Sequence, residues 1–393
     1  MAIEGRSDAK RGGRIRLGMV GGGEGAFIGA VHRLAARMDD HYEFVAGALS
    51  STPDRARRSG EALSLDPKRI YDNFEAMAKA EAARPDGIEA VAIVTPNHMH
   101  AGPILAFLAA GVHVICDKPL TTSLAEARRI KTGVAKSDRV FALTHNYTGY
   151  PLVRQAREMI ATGEIGVIRL VQVEYPQEWL SESVEKTGQK QAAWRVDPTQ
   201  AGAGGALGDI GTHAYNLADY VCGVDLVEVA AELSAFGEGR QLDDNAQVLL
   251  RYANGARGAL WVSQVAPGHE NGLRLAVYGT KGSLRWAQEN PNVLLHAPLG
   301  APPRILTRGG PGLGAAAARM TRIPPGHPEG YLEGFANIYS EVALAIKAAR
   351  DGGKPPAGVQ FPGIDDGLKG LAFIEAAVES SKANGKWTKL AKA

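Results

Sequence analysis

The stretch Arg14–Met38, R-I-R-L-G-M-V-G-G-G-E-G-A-F-I-G-A-V-H-R-L-A-A-R-M, decides the fold. Its first seven residues read as a short buried strand, the glycines as a tight loop, and A-V-H-R-L-A-A-R-M as the amphipathic helix that loop opens. Strand, glycine loop and helix in that order let backbone N–H groups approach a pyrophosphate at a helix N-terminus. The same alternation continues outward. Glu43–Ser50 reads as a second strand and Pro53 starts a second helix; Glu89–Thr95 is a third strand closing on P-N-H-M-H; Ala101–Gly111 is a helix; V-H-V-I-C at 112–116 is a fourth strand. Such alternation implies βαβ units and a parallel sheet covered on both faces.

The glycine loop departs from a strict G-x-G-x-x-G. Counted from Gly21 and Gly23, the third position falls on Ala26; alternatively Gly29 takes that role after a three-residue insertion. Gly21, Gly23, Ala26, Phe27 and Ile28 are the expected contacts of a dinucleotide, against the plainer reading of a tight turn with no ligand. At the end of the second strand, about 20 residues on, NAD-binding chains place an Asp or Glu for the ribose 2′-hydroxyl. Here the residues are Leu49, Ser50 and Ser51, followed by Arg55, Arg57 and Arg58. Arginines able to pair with a 2′-phosphate admit NADP as well as NAD, so both stand as expected cofactors.

After about Phe141 the text changes. I-R-L-V-Q-V-E-Y, A-Q-V-L-L-R-Y, G-A-R-G-A-L-W-V-S and R-L-A-V-Y-G-T are longer amphipathic strands, and Ala253–Ala256 and Gly279–Gly282 read as hairpin turns. The expected organisation is a charged flexible tail over 1–13, a Rossmann doubly wound domain over 14–141, and an α/β domain with a large open, mostly antiparallel sheet over 142–393. The glycine- and alanine-rich run from Gly309 reads as a mobile surface loop.

Composition narrows the partners. A formal charge of +2 from 44 basic and 42 acidic residues gives no strong field toward nucleic acid or an anionic membrane. No apolar run approaches a membrane span and no secretory leader precedes the first strand, so no membrane partner is expected. Two cysteines, Cys116 and Cys222, make no disulfide framework and fit a reducing cytoplasm. No metal site is expected, because Asp209 and His213 lack a third ligand at a convincing spacing.

Two further stretches carry chemistry. Val114–Thr121, V-I-C-D-K-P-L-T, ends a buried strand on an ionic pair, Asp117 and Lys118, and stiffens it with Pro119. Gly204–His213, G-G-A-L-G-D-I-G-T-H, puts Asp209 and His213 four residues apart, on one face of a helix. Histidine is the side chain whose ordinary pKa suits proton removal near neutrality. A plain helix contact is the rival reading of that pair.

Together with T-P-N-H-M-H before the fourth strand, Y-G-T-K-G-S-L-R-W and the late G-H-P-E-G-Y-L-E-G-F, these motifs resemble the Gfo/Idh/MocA family of NAD(P)-dependent sugar and inositol oxidoreductases over nearly the whole chain. Within it, the likeness leans toward scyllo-inositol and L-glucose dehydrogenases, a branch that tends to use NAD. The resemblance implies a Rossmann domain and a second α/β domain whose open sheet mediates dimers or tetramers. The family motif Glu-Lys-Pro reads Asp117-Lys118-Pro119 here, one methylene shorter at the acid, with Pro119 expected to be cis. Lys118 is implied to bind the reacting oxygen, His213 to act as general base and Asp209 to bind substrate. Thr95, Asn97, His100 and Asp117 are expected on the cofactor side. Tyr147, Trp194, Arg195 and His327 are expected on the substrate side, with His327 reaching the site from a loop or from a neighbouring subunit. His32 reads as helix packing or a cap near the phosphates. The function expected is oxidation of a hydroxyl on a cyclic polyol or pyranose. A redox-neutral glycosidase with tightly bound NAD and a non-catalytic sugar or nucleotide sensor are the alternatives.

Overall fold

The computed structural model describes residues 13–187, 195 and 197–392, so the tail over 1–13 falls almost wholly outside the described residues, and Trp194 falls outside them too. The chain divides into two compact units.

One unit comprises the chain up to Thr121 together with Ala125–Gly149 and Tyr331–Gly367. Its strands are β1 (Ile15–Gly21), β2 (Tyr42–Ala48), β3 (Ala90–Val94), β4 (His113–Cys116) and β5 (Phe141–Leu143). They form one parallel sheet in the order β2-β1-β3-β4-β5. The order reverses between β1 and β3, and the crevice at such a switch point is where doubly wound sheets take ligands. Helices α1 (Phe27–Met38), α2 (Pro53–Ala62), α3 (Phe74–Ala82), α4 (Ala101–Ala109) and α5 (Leu124–Ala135) connect the strands. The strands are largely apolar, with Arg16 on β1 and Glu43 on β2 near their starts, and β3 and β4 are buried at every position, as a sheet covered on both faces requires.

Part of that cover comes from far along the chain. The 20-residue helix Tyr331–Arg350 packs Phe335, Ile338, Tyr339, Val342 and Ile346 against β1 and α1 residues such as Leu17, Met19, Val31 and Ala35 in one core cluster. A boundary drawn along the sequence at residue 141 does not describe this return, because a helix joins whichever apolar face its own apolar stripe can bury.

The second unit holds Thr122–Leu124, Tyr150–Gly330 and the chain from Leu368 on. A nine-stranded mixed sheet runs through it from β6 (Ile168–Pro176) to β14 (Thr388–Lys389), with β7 (Leu226–Ser234), β8 (Asn245–Tyr252), β9 (Arg257–Ser263), β10 (Arg274–Gly279), β11 (Gly282–Ala287), β12 (Val293–Pro298) and β13 (Arg304–Thr307) between. The order is β13-β12-β11-β10-β6-β9-β8-β7-β14; β6 and β9 are parallel and every other pairing is antiparallel. The hairpins at Ala253–Ala256 and Gly279–Gly282 join β8 to β9 and β10 to β11. Burial alternates along β8, with Ala246, Val248, Leu250 and Tyr252 inside and Gln247 and Leu249 outside. One sheet face is therefore core and the other is open.

The run after Gly309 differs from the expected loop. Ala315–Met320 is a helix with Ala317 and Met320 buried, so its small residues serve close packing. Among the described residues no helix is long and apolar enough to cross a membrane.

Candidate active site

In the first unit the glycine loop leaves β1 at the switch point. Gly21 and Gly22 take φ of 79° and 71°, a region open to glycine. A Cβ on Gly29 would stand 2.4 Å from both Cα and O of Gly22. Helix α1 thus meets the turn after β1 at Gly29, while Ala26 precedes the helix as its N-cap residue. A backbone cradle with no side chain in the way, at a helix N-terminus beside the ends of β1 and β3, fits a pyrophosphate. Phe27 and Ile28 begin the helix, Phe27 being largely exposed. Ser50 Oγ accepts from Thr52 N at 3.2 Å, and Ser51 and Arg55 flank the same turn into α2.

Asp117 and Lys118 follow β4, and the Lys118–Pro119 peptide is cis. Asp117 N donates to Ile93 O at 2.9 Å, so the chain runs on beside the end of β3 before it turns. The Asp117 carboxylate accepts from Thr144 Oγ1 at 2.8 Å and lies 3.6 Å from His32 Nε2 on α1. Burial alone would push this carboxyl up. The opposing pulls of His32, Lys118 and Thr144 outweigh it and hold Asp117 well below the usual carboxylate range. Tyr339 hydrogen-bonds the other His32 nitrogen, Nδ1, at 2.8 Å, and Tyr42 Oη donates to Tyr339 O. His145, after β5, is pushed down to about 3 by burial and then by Lys118, so it is neutral near pH 7. Asn97 and Tyr147 are buried in this unit and Thr95 follows β3.

His100 is placed differently from its expected cofactor contact. It is wholly buried, with Nε2 on Thr95 O at 2.9 Å and Nδ1 on Pro119 O at 2.9 Å. The imidazole clasps the end of β3 to the Lys118–Leu120 segment, and both ring nitrogens face main-chain carbonyls. Burial lowers its pKa.

In the second unit the glycine run leads into a π-helical turn, Leu207–Gly211, which continues as α6 (Thr212–Cys222). Asp209 stands on the wide turn and His213 on the first turn of α6, a departure from one uninterrupted α-helical face. Single π turns recur at functional sites, where they re-aim a side chain. Asp209 Oδ2 accepts from Arg195 Nε at 3.1 Å and from Gln264 Nε2 at 3.0 Å. His213 is buried, its ring 6.4 Å from that of Tyr175. Below the run, the Asp243 carboxylate accepts from Gly205 N at 2.7 Å and Leu207 N at 2.8 Å, and its carbonyl from Ala206 N at 2.8 Å.

His327 is exposed on the loop after Thr321. The loop is tied down from beneath: buried Glu329 accepts from Arg322 N, Ile323 N and Arg308 Nη1, and Arg308 donates onward to the carbonyls of Ile323, Pro324 and His327.

Residues 15–147 match the oxidoreductase family with an NAD-binding Rossmann fold, and residues 153–285 match the GFO/IDH/MocA C-terminal domain. The chain is 36% identical over 377 residues to the uncharacterized oxidoreductase YfiI of Bacillus subtilis (strain 168), covering 95% of this chain and 96% of that one. The chain belongs to the Gfo/Idh/MocA oxidoreductase family. Among solved structures, an oxidoreductase from Sinorhizobium meliloti is 59% identical with a TM-score of 0.88, over 96% of this chain and 99% of that one. An inositol dehydrogenase homolog from Azotobacter vinelandii, complexed with NADH and myo-inositol, is 38% identical with a TM-score of 0.90, over 96% and 97%.

Against the family motif, the shorter acid of this Gfo/Idh/MocA chain is met by a histidine from α1. In the sequence, His32 reads as helix packing or a cap near the phosphates, and Gln264 and Asp243 carry no signal. Gln264 lies 55 residues from the aspartate it holds; the pairing of β8 with β9 sets it beside Asp244, and the Asp243 bonds to Gly205 and Leu207 bring the π turn to the same place.

Proposed function

We propose that the chain is a dehydrogenase that oxidises a secondary or anomeric hydroxyl of a cyclic polyol or a pyranose. The observation that carries this reading is Asp209, a carboxylate fixed by Arg195 and Gln264 on a π turn that leads directly to His213. A fixed acceptor beside an imidazole suits a substrate with several neighbouring hydroxyls, one of which must lose a proton. The A. vinelandii relative, complexed with NADH and myo-inositol, supports the same substrate class.

A nicotinamide cofactor held at the Gly21–Gly29 loop would supply the hydride acceptor. Lys118 donates to the reacting oxygen and favours its alkoxide-like transition state, and Asp117 orients the lysine. His213 removes the hydroxyl proton and Asp209 accepts from an adjacent hydroxyl. Tyr147, Arg195 and His327 supply further substrate contacts. A second copy of the chain covers the open face of the nine-stranded sheet, where Leu249, Ala259, Gln172, Ala276 and Arg285 stand in one row across five strands.

The test is the absorbance of reduced nicotinamide during incubation with NAD or NADP and a panel of inositols, aldoses and aryl glycosides. A stoichiometric rise with one polyol or sugar is expected. Aglycone release with no net rise would replace this reading with a redox-neutral glycosidase, and nucleotide binding without any turnover would replace it with a sensor.

A further inference from the structure

The end of β2 in this chain carries no acid, yet a carboxylate stands close by from another direction. Glu24, at the tip of the glycine loop, lies 3.4 Å from Arg58 Nη2 and 4.0 Å from Arg55 Nε, both on α2. These are two of the three arginines that made a 2′-phosphate admissible from the sequence. The tip is pinned where it is. Gly23 N donates to Leu49 O at 3.2 Å, Glu24 N donates to Ser59 Oγ at 3.0 Å, and a Cβ on Gly23 would stand 2.6 Å from Leu49 O and 2.7 Å from Ser59 Oγ. Loop tip, end of β2 and α2 therefore converge on one small surface. Meanwhile the Ser50 hydroxyl is engaged in its own turn, with Thr52 N and Thr52 Oγ1.

We propose that Glu24, rather than a residue at the end of β2, makes this chain select NAD over NADP. The proposal rests on the reading of the first unit as a dinucleotide site. The adenosine ribose of a nucleotide held by the glycine loop projects toward the end of β2. There Glu24 acts twice. It engages the Arg55 and Arg58 guanidiniums that would otherwise pair with a 2′-phosphate, and it sets a negative charge beside any phosphate brought to that surface. A neutral ribose hydroxyl meets neither obstacle and can donate to the carboxylate. Because the ion pairs are solvent-exposed, they contribute little to folding, and the carboxylate can be neutralised without unfolding the loop.

The measurement is direct binding of NADH and NADPH to the full-length protein, by calorimetry or nicotinamide fluorescence, with wild type, Glu24→Gln and the triple variant Glu24→Gln/Arg55→Ala/Arg58→Ala. Wild type should bind NADH more tightly. In Glu24→Gln the Kd ratio of NADPH to NADH should fall about tenfold, the equivalent of ~1.4 kcal/mol, through tighter NADPH binding, while the ribose hydroxyl of NADH exchanges a charged acceptor for the amide oxygen and NADH weakens only a few-fold. Removing the two arginines as well should return the ratio to the wild-type value or above it. An unchanged ratio in Glu24→Gln with NADH binding intact overturns the proposal while leaving the dinucleotide site standing. Failure of the wild type to bind either nucleotide overturns the site and the proposal with it.

Discussion

His32 Nε2 stands 3.6 Å from Asp117 Oδ1, the same oxygen that accepts from Thr144 Oγ1. A helix that opens on the glycine loop thereby touches the acid immediately before Lys118. Facing a carboxylate, the imidazole is favoured in the tautomer with its proton on Nε2, which leaves Nδ1 to accept from the Tyr339 hydroxyl. Replacing His32 by Leu should keep NADH binding within a few-fold while kcat falls about a hundredfold, the cost of a lysine displaced by roughly an ångström. Lys118→Ala should abolish turnover under the same conditions. A wild-type kcat in the His32 variant would show that Thr144 alone orients Asp117.

Gly29→Ala should be more damaging than its one added carbon suggests. Its Cβ would lie 2.4 Å from the backbone of Gly22, inside the distance any side chain tolerates, so α1 must move away from the turn proposed to cradle the pyrophosphate. The expected outcome is loss of NADH binding, read by fluorescence, with a lowered melting temperature. Ala26→Gly should leave binding nearly unchanged, because Ala26 is an extended N-cap residue outside that contact.

These two sites mark what the sequence could and could not convey. Strand, loop and helix in the first unit were legible because a parallel sheet buried on both faces writes itself as apolar runs broken by glycine. Lys118, Asp209 and His213 stood out by residue type and spacing. The third glycine stayed ambiguous between Ala26 and Gly29, since a loop's length does not reveal where the helix touches the strand. The return of Tyr331–Arg350 to the first unit was invisible for a similar reason: its apolar stripe states that it is buried, without saying against what. His32, Gln264 and Asp243 act through partners tens of residues away, and one sequence does not disclose such pairs.

Asp243 should make stability depend on pH. Burial, against the pull of the Gly205 and Leu207 N–H groups, raises its pKa from 3.8 to about 6. Between those values the native state holds a proton that the unfolded chain has released, so unfolding free energy falls as pH rises from about 4 to about 6. The gap is worth up to about 3 kcal/mol. Asp243→Asn removes the titration and one backbone acceptor, and should be less stable than wild type at pH ~4 by on the order of 1–3 kcal/mol. That deficit should shrink toward pH ~7, as wild type alone bears the cost of ionising the group. Denaturant titrations of both proteins across this range give the difference directly, and parallel curves would show that Asp243 does not titrate there.

Gln264 holds Asp209 without adding charge, which makes it separable from the chemistry. It is buried, its side-chain N–H donates to Asp209 Oδ2 at 3.0 Å, and its own main chain is fixed by Asp244 O at 2.8 Å and Leu180 N at 2.9 Å. In Gln264→Leu the backbone stays anchored and Arg195 remains on the carboxylate, but the Gln264 hydrogen bond that helps set the Oδ2 direction is gone. The loss of a hydrogen bond to a charged group, about 1.5–3 kcal/mol, should appear as a roughly tenfold or greater fall in kcat/KM for the sugar or cyclitol. NADH affinity should not move, and the loss should sit mainly in KM, because the role proposed for Asp209 is to bind the substrate rather than to carry the proton. A fall confined to kcat would instead place Asp209 in the proton transfer itself, with Gln264 tuning its basicity.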